Sequence, residues 1–470
     1  MSKTWRAAAA KAANTELKMN IKNAEKLYNN SQGRKHLLDI LSAGVDAAIP
    51  GEKTGRMVSI RGKTLTVKDE RFPLEGIGRI YFVGTGKGSY PIALELERIL
   101  GDHITEGVLA VKKGETRGLT YIRTVQAGHP IPDGGSVEVA RQIAAILKKA
   151  GERDIVFAAI TGGASAMTVL PPAGISLADL QQVNRLLLQS GGTIREMNTI
   201  RRHLCLLKGG KLLQLAQPAH VVTISLQTID DSVMPWPDMS KADPTTFKDA
   251  LDILRFYGLE AGTPPAVLDY LKAGMEHPER ETLKTLDGIR RTMLYAGSPA
   301  DACEAAAEKA KALGYSSHIL ATRIEGDASQ LGVFLAGIAN EIMAENRPFT
   351  RPCVLISGGE TTVTIRGESG RGGPNMETVL GFLEYIAESP EWVFGAMDTD
   401  GTDGPTRYAG ALADTAVKRE VESAGFSIRT QLQAHASEEA LAAADALIET
   451  GHTGTNVMNL RVLLIGKGEG

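Results

Sequence analysis

Short apolar runs alternate with longer segments of helical pattern along most of this chain, and this alternation limits the fold more than any other feature. In the first half, four runs have the length and apolar content of strands and lie at 79–83, 107–111, 154–160 and 220–226. The segments between them show helical spacing and lie near 89–100, 135–150, 176–190 and 196–216. Strands separated by helices of this length are typical of a parallel sheet with helices on both faces.

The alternation restarts after a stretch at 258–290 that is rich in proline, glycine and charge. Further strands are predicted at 292–295, 316–321, 353–357, 392–397 and 460–465, with 361–366 as a hairpin partner, and helices at 298–313 and 327–345. Because 470 residues exceed one compact core, we predict an α/β protein of two domains, each a mainly parallel sheet flanked by helices. The expected boundaries are a helical extension at 1–33, a Rossmann-like domain at 34–260, a linker region at 261–290 and a C-terminal α/β domain at 291–470.

Composition and charge exclude several classes of protein. The net charge is −3 and no basic tract is present, which argues against a nucleic-acid partner. No apolar run approaches the roughly 20 residues that span a bilayer, so no membrane association is expected. Cys205, Cys303 and Cys353 are widely spaced and indicate buried thiols in a reducing compartment. We therefore expect a cytoplasmic protein; the oligomeric state is open, with a homodimer as one arrangement.

The strand-like run 80–83 leads directly into a glycine turn that contains Gly84, Gly86 and Lys87, and a helix-like segment follows. Glycines let the backbone approach an anion, and the free amides at a helix start carry partial positive charge. The lysine adds a full charge that suits phosphate or carboxylate. The alternative is an ordinary connection between a strand and a helix.

Five turns rich in Gly, Ser and Thr follow predicted strands, at 84–87, 161–165, 357–361, 398–404 and 453–456. In open α/β sheets, ligands bind outside the carboxyl ends of the strands, so we expect at least two of these turns to line a ligand site. The candidate binding residues that they supply are Gly162, Gly163, Ser165, Ser357, Gly358, Gly359 and Glu360.

The helix-like segment 192–210 carries a group of cationic and amide side chains. Asn198 and Arg202 are four residues apart and share a helix face, with Arg195 and Arg201 nearby and Lys208 just beyond. A guanidinium binds a carboxylate or phosphate through two parallel hydrogen bonds, so this segment predicts an anionic ligand. The alternative is a solvated basic face. The nearby turn 127–133 predicts a rigid connection, in which His129 is more simply structural than catalytic.

The turn 398–404 places Asp398, Asp400 and Asp403 in a glycine-rich loop. Carboxylates at this spacing can hold Mg²⁺ or accept a proton, whereas the simpler interpretation is an Asx turn. With the cationic turns, this predicts a kinase for a small hydroxy acid. The alternative is a nicotinamide-dependent reductase. It is disfavoured because a dinucleotide site has an acidic residue that binds the ribose at the end of the next strand, where this chain has two lysines. A non-catalytic sugar-acid binding module leaves the acidic turn unexplained.

Together these segments resemble the glycerate 2-kinase family, whose C-terminal module is called MOFRL. The matching motifs are Val83-Gly-Thr-Gly-Lys87, Ala127-Gly-His-Pro-Ile-Pro-Asp133, Arg195-Glu-Met-Asn-Thr-Ile-Arg-Arg-His-Leu204 with Lys208-Gly-Gly210, Asp243-Pro-Thr-Thr-Phe247, Ser357-Gly-Gly-Glu-Thr-Thr-Val-Thr364, Thr399-Asp-Gly-Thr-Asp-Gly-Pro-Thr406 and Thr453-Gly-Thr-Asn-Val457. The resemblance implies an enzyme that phosphorylates the 2-hydroxyl of D-glycerate, or of a related short sugar acid, with ATP and Mg²⁺. It also implies an active site in the cleft between two domains.

The resemblance places Lys87 and Arg371 in that cleft, and the residues themselves suggest further roles as a hypothesis. Lys87 and Arg371 would stabilise the transferring phosphoryl group, Asp230 would act in catalysis, and Asn375 would join the binding residues. Mg²⁺ would be held by Asp231, Asp400 and Asp403. The chain departs from the family pattern in three loops, at Ala164, at 226–240 and at 374–376, and also at Arg407. A paralogue with another acid substrate, or with weakened kinase activity, is therefore a further alternative.

Overall fold

The computed structural model of the protein describes residues 18–115, 117–228, 238–365 and 369–466. They form two compact units: Pro50–Ala296 in the first, and the described parts of Glu16–Ile49 and Gly297–Gly470 in the second. Within these residues, no helix combines the length and the apolar character needed to cross a bilayer.

The elements have the following bounds. The strands are β1 (Val58–Arg61), β2 (Thr64–Val67), β3 (Glu70–Pro73), β4 (Ile80–Thr85), β5 (Ile104–Lys112), β6 (Arg123–Ala127), β7 (Ile155–Ile160), β8 (His220–Ser225), β9 (Arg291–Tyr295), β10 (Ser316–Ala321), β11 (Gly326–Asp327), β12 (Cys353–Gly359), β13 (Thr361–Thr362), β14 (Trp392–Asp398), β15 (Gly410–Ala413), β16 (Leu447–Ile448) and β17 (Asn459–Ile465). The helices are α1 (Ala24–Tyr28), α2 (Gln32–Ala48), α3 (Pro50–Met57), α4 (Ser89–Leu100), α5 (Gly134–Leu147), α6 (Ala164–Met167), α7 (Leu177–Gln189), α8 (Ile194–His203), α9 (Lys211–Ala216), α10 (Phe247–Phe256), α11 (Pro265–Glu276), α12 (Pro299–Ala312), α13 (Ala328–Glu345), α14 (Pro374–Tyr385), α15 (Thr415–Ser423), α16 (Ile428–Gln433) and α17 (Ser437–Ala443).

The first unit is built on a six-stranded sheet of order β6-β5-β4-β7-β8-β9, in which every pair is parallel. All residues of β4 and β7 are buried because helices cover both faces. Tyr81 and Val83 pack in a cluster with α5 and α9, whereas Phe82 packs with α4 on the other face. The predicted α/β class is confirmed by this sheet.

Four helices of the first unit, α7, α8, α10 and α11, pack in a separate apolar cluster that includes Val183, Ile200, Phe247 and Leu271. Helices α7, α8 and α10 each begin at a capping box, in which the side chain of the residue before the helix and that of its third residue satisfy exposed amides reciprocally. Helix α11 lies within 261–290, so the predicted linker region is wrong in part. The single helix predicted at 196–216 is also wrong, since Gly209 and Gly210 at positive φ separate α8 from α9.

The second unit contains a six-stranded sheet of order β10-β12-β17-β14-β15-β16. Only β10 and β12 pair in parallel, and the other neighbours are antiparallel. The prediction of a mainly parallel second sheet is therefore wrong: β17 returns between β12 and β14 in the opposite direction. The predicted hairpin at 361–366 is wrong as well, because β13 pairs in parallel with β11 in a separate two-stranded sheet.

Two observed boundaries differ from the predicted ones. Strand β9 pairs with β8 and completes the first sheet, so the first unit extends past 291. Helix α2 belongs to the second unit, where Leu37 packs in its core and Arg34 makes two hydrogen bonds, of 2.6 and 2.7 Å, to Asp414. A helix near the amino terminus thus completes a core formed mainly by the last third of the chain.

Candidate functional site

The order of the first sheet reverses between β4 and β7, because the chain runs from β4 to one edge and from β7 to the other. Such a reversal leaves a crevice at the carboxyl ends of the two strands, where ligands bind in open α/β sheets. The turns 84–88 and 161–163 lie at these two ends. The N–H of Lys87 donates to the carbonyl oxygen of Gly162 at 2.8 Å, and the N–H of Gly88 donates to the Thr161 hydroxyl at 3.0 Å.

Two glycines in these turns keep them close together. Gly86 has φ +112°, and a Cβ atom there would lie 2.3 Å from the Thr161 carbonyl oxygen. Gly163 has φ +88°, and a Cβ atom there would lie 3.2 Å from both Lys87 Cγ and His129 Cδ2. These side chains therefore converge on Gly163. His129, for which the sequence favoured a structural role, thus lies next to Gly163 together with Lys87.

A cavity of about 230 Å³ opens beside these turns, entirely within the first unit. Its polar lining comes from His129, Ser165, Asn184, Arg201 and Lys208. The apolar lining comes from Pro130, Pro132, Ala166, Val169, Leu180, Val183, Leu188, Ile194, Met197 and Leu204. Positive charge and a long apolar wall thus share one cavity.

The polar side chains of the cavity lining are held by well-defined contacts. Lys208 is 2% exposed, and its Nζ donates to the main-chain oxygen of Ser165 at 2.6 Å. The Ser165 hydroxyl is buried and makes no hydrogen bond within the described part of the chain. Leaving such a group unsatisfied costs about 1–3 kcal/mol, so a polar ligand atom at this position stabilises the site. Arg201 Nε donates to Asn184 Oδ1 at 2.8 Å, which fixes its guanidinium at the cavity wall.

Other predicted residues of the first unit lie elsewhere. Arg202 is 1% exposed and forms a buried ion pair of 2.9 Å with Asp243, so it does not orient a substrate. Arg195 is exposed and does not line the cavity, and Asn198 Oδ1 accepts a 3.4 Å bond from Arg201. Gly84 is buried inside β4, where a Cβ atom would meet Leu109 at 2.6 Å. Asp230 lies outside the described residues.

In the second unit, two predicted turns meet at one edge of the sheet. Gly359 at the end of β12 and Asp398 at the end of β14 both pair with Asn459 of β17. Ser357 and Gly358 are buried within β12, whereas Glu360 in the following turn is exposed. Arg461, which the sequence reasoning missed, is buried beside this edge and donates 2.7 Å bonds to Thr361 Oγ1 and Asn459 Oδ1. Burial lowers the pKa of Arg461 to about 10, against the opposing influence of Glu360.

Within the described residues, Asp400 and Asp403 of the acidic turn bind groups of the protein itself. Asp403 is buried and accepts bonds of 3.0 and 2.9 Å from the N–H groups of Asn375 and Met376, so it caps α14. Asn375 Nδ2 donates to the same carboxylate, which gives Asn375 a structural role as well. Asp400 Oδ1 accepts from the N–H and hydroxyl of Thr402, which is an Asx turn.

Among the described residues, no three His, Cys, Asp or Glu side chains come together as a metal site, and Asp231 lies outside that part of the chain. The predicted ligand set of Asp231, Asp400 and Asp403 is therefore not assembled by the residues that the structure describes.

Arg371, the second predicted catalytic residue, is 65% exposed in the second unit. Its Nε lies 3.0 Å from Glu438 Oε2, and its carbonyl oxygen accepts from the N–H of Glu438 at 2.9 Å. The N–H of Gly370 donates to the carbonyl of Ala434. The loop that carries Arg371 is thus fixed to Ala434, just after α16, and to Glu438 in the first turn of α17. That Lys87 and Arg371 face a shared cleft stays a prediction.

The parallel sheet, the glycine turns at its reversal point and the cation-lined cavity define an α/β protein with a site suited to a small anionic molecule. Family models match most of the chain: one described as a domain of unknown function (DUF4147) matches residues 36–272, and the MOFRL family matches residues 353–459.

Characterised relatives agree with these matches. A glycerate 2-kinase of Pyrococcus horikoshii is 37% identical over 432 residues, which cover 91% of this chain and 96% of that protein. The human glycerate kinase is 31% identical over 497 aligned residues, covering 91% of this chain and 92% of that protein. The crystal structure of glycerate kinase from Thermotoga maritima has a TM-score of 0.76 and 30% identity, and covers 92% of this chain and 99% of that one. The chain belongs to the glycerate 2-kinase family.

Proposed function

We propose that this protein transfers the terminal phosphoryl group of ATP to the 2-hydroxyl of D-glycerate or of a related short sugar acid. The observation that carries the proposal is the convergence of Lys87, Lys208 and the two glycine turns at the reversal point of the first sheet. Kinship with glycerate kinases supports the choice of substrates. Phosphoryl transfer depends on positioning and on positive charge around the migrating group, and this arrangement supplies both.

Each cation has a proposed part in this reaction. Lys87 neutralises charge that develops on the transferring phosphoryl group through its side-chain ammonium, since the main-chain N–H groups of Lys87 and Gly88 already donate to Gly162 and Thr161. Arg371, in the second unit, is the second cation proposed to contact that group. Lys208 and Arg201 bind the remaining negative charge at the cavity. The base that removes the proton from the 2-hydroxyl is not assigned among the described residues.

Mg²⁺ is the usual companion of ATP, and it is commonly bound by one or two carboxylates together with phosphate oxygens. Asp403 does not fit this role, because its two oxygens receive N–H groups at the start of α14. Asp400 is partly engaged by Thr402. The described residues thus do not form the expected ligand set of Asp231, Asp400 and Asp403.

The test is an ADP-release assay with D-glycerate, erythronate, threonate, tartrate and hydroxypyruvate, run beside an NAD(P)H absorbance assay. ADP release that depends on one acid, with the phosphorylated acid identified by NMR as the 2-phosphate, supports the kinase. Nicotinamide consumption with hydroxypyruvate and no ADP release would instead assign the reductase. ADP release that does not depend on any acid would reduce the protein to an ATPase and contradict the proposal.

A further inference from the structure

The cavity of the first unit has more apolar wall than a short sugar acid can use. Leu180 and Val183 of α7 and Met197 of α8 line it, and Pro130 and Pro132 add to the apolar surface. D-glycerate carries a carboxylate or hydroxyl on each of its three carbons, so burying it against these side chains would leave polar groups unpaired. The apolar wall is therefore better matched by a ligand with an apolar group than by D-glycerate.

Of the two substrates in the proposed reaction, only the nucleotide has a group that matches this wall. A nucleobase presents flat apolar faces, which pack well against aliphatic side chains and proline rings. Its phosphates carry several negative charges, and the lining of the same cavity includes the cations Lys208 and Arg201. One molecule with an apolar end and an anionic end thus satisfies both halves of the lining.

The part of the cavity that Lys208 lines lies next to the glycine turns. Gly163 lines the cavity, and a Cβ atom on Gly163 would touch Lys87 Cγ at 3.2 Å. Ser165, whose hydroxyl is buried, is two residues from Gly163, and Lys208 Nζ donates to its carbonyl oxygen. A triphosphate that starts at Lys208 therefore brings its terminal group toward Lys87.

We propose that this cavity is the nucleoside pocket of the enzyme: the base packs against α7 and α8, and the phosphates extend past Lys208 toward Lys87. The assignment rests on the proposed kinase function for the choice of ligand. Leu188 and Ile194 stand at the mouth of the pocket, 58% and 49% exposed, and the bound base covers them. Because both side chains are exposed in the free protein, substituting them disturbs the pocket and leaves the core intact.

The experiment uses neutral substitutions at the mouth, so that the phosphates are not repelled. Leu188→Gln, Ile194→Gln and the double variant are compared with Met275→Gln, a control on α11 that is 49% exposed and does not line the cavity. Calorimetry measures the affinity for ADP and for inorganic tripolyphosphate, which has the phosphates without the base. Circular dichroism checks that each variant is folded.

We expect the double variant to bind ADP about tenfold more weakly and tripolyphosphate with unchanged affinity. The KM for ATP rises in proportion, the KM for D-glycerate stays constant, and Met275→Gln behaves as wild type. Unchanged ADP affinity, or a selective rise in the KM for the acid, overturns the assignment.

The two proposals fail separately. If wild type phosphorylates no acid but ADP affinity still falls in the mouth variants, the pocket stands and the kinase proposal is lost. If wild type is an active kinase and ADP affinity is insensitive to these variants, the pocket assignment is lost alone.

Discussion

The N–H of Lys87 donates a hydrogen bond of 2.8 Å to the carbonyl oxygen of Gly162, which joins the turn after β4 to the turn after β7. The bond fixes the backbone that carries the lysine, so the side chain starts from one position and not from a mobile loop. Preorganised charge stabilises a transition state more than charge that must first be ordered. This bond is therefore the structural basis for placing Lys87 at the centre of the proposed site.

Replacing Lys87 with Met should lower kcat for phosphoryl transfer by at least about 100-fold, because one charge that stabilises the transferring group is lost. The main-chain bond to Gly162 is retained, so the fold should be unaffected. Steady-state kinetics with saturating ATP and acid measure the effect, and Lys148→Met, an exposed lysine outside the site, is the control. A variant with wild-type kcat would remove Lys87 from the mechanism.

Replacing Gly86 with Ala should destabilise the first unit by at least about 2 kcal/mol, since φ +112° is strained for alanine and its Cβ would lie 2.3 Å from the Thr161 carbonyl oxygen. Urea unfolding followed by circular dichroism gives the change in free energy. Gly76→Ala is the matched control, since no atom lies within 4 Å of its added Cβ, and it should stay within about 0.5 kcal/mol of wild type. Equal stability of Gly86→Ala and Gly76→Ala would mean that the turn after β4 accommodates the added Cβ at no cost.

The part of the fold governed by local pattern was predictable from the sequence. The apolar run of β4 and the glycines after it predicted a strand, a turn and a helix, and all three are present. The direction of β17 was not predictable, because an isolated apolar run is the same in either direction. Its antiparallel pairing with β12 depends on residues about 100 positions earlier in the chain.

The same limit applies to individual site residues. Arg201 and Arg202 are adjacent and chemically identical, yet one lines the cavity and the other is buried against Asp243. Which of the two faces the core is decided by an aspartate 41 residues later, which helical spacing alone does not reveal. The sequence of its turn likewise suggests that Asp403 is a metal ligand. The amides that it actually binds belong to a helix 28 residues earlier, so the turn alone does not reveal this role.

Replacing Arg202 with Met should destabilise the protein by about 3–5 kcal/mol, because it leaves Asp243 as a buried carboxylate without its cation. The double variant Arg202→Met with Asp243→Asn should lose less than the sum of the two single changes, since both buried charges are removed together. Urea unfolding of wild type, the two single variants and the double variant gives the coupling free energy between the two side chains. Arg195→Met, an exposed arginine on the same helix, should leave stability unchanged within about 0.5 kcal/mol. Additive effects of the two single changes would show that the ion pair contributes nothing.

Burial raises the pKa of Asp403 from its ordinary value of 3.8 to about 6, although the amides at the start of α14 oppose the shift. Between pH 3.8 and about pH 6, the carboxyl of Asp403 is therefore more protonated in the folded protein than in the unfolded chain. The contribution of Asp403 to the free energy of unfolding therefore falls as pH rises through this window, by about 1–3 kcal/mol, and is constant above it.

Asp403→Asn cannot titrate, so the difference in unfolding free energy between wild type and this variant isolates the effect. That difference should shift in favour of the variant as pH rises from about 4.5 to about 6.5, and urea unfolding at steps across this range measures it. The lost acceptor oxygen adds a constant offset at every pH, which leaves the slope intact. Parallel profiles for the two proteins would mean that the carboxyl keeps its ordinary pKa, and that the amides of Asn375 and Met376 compensate fully for its burial.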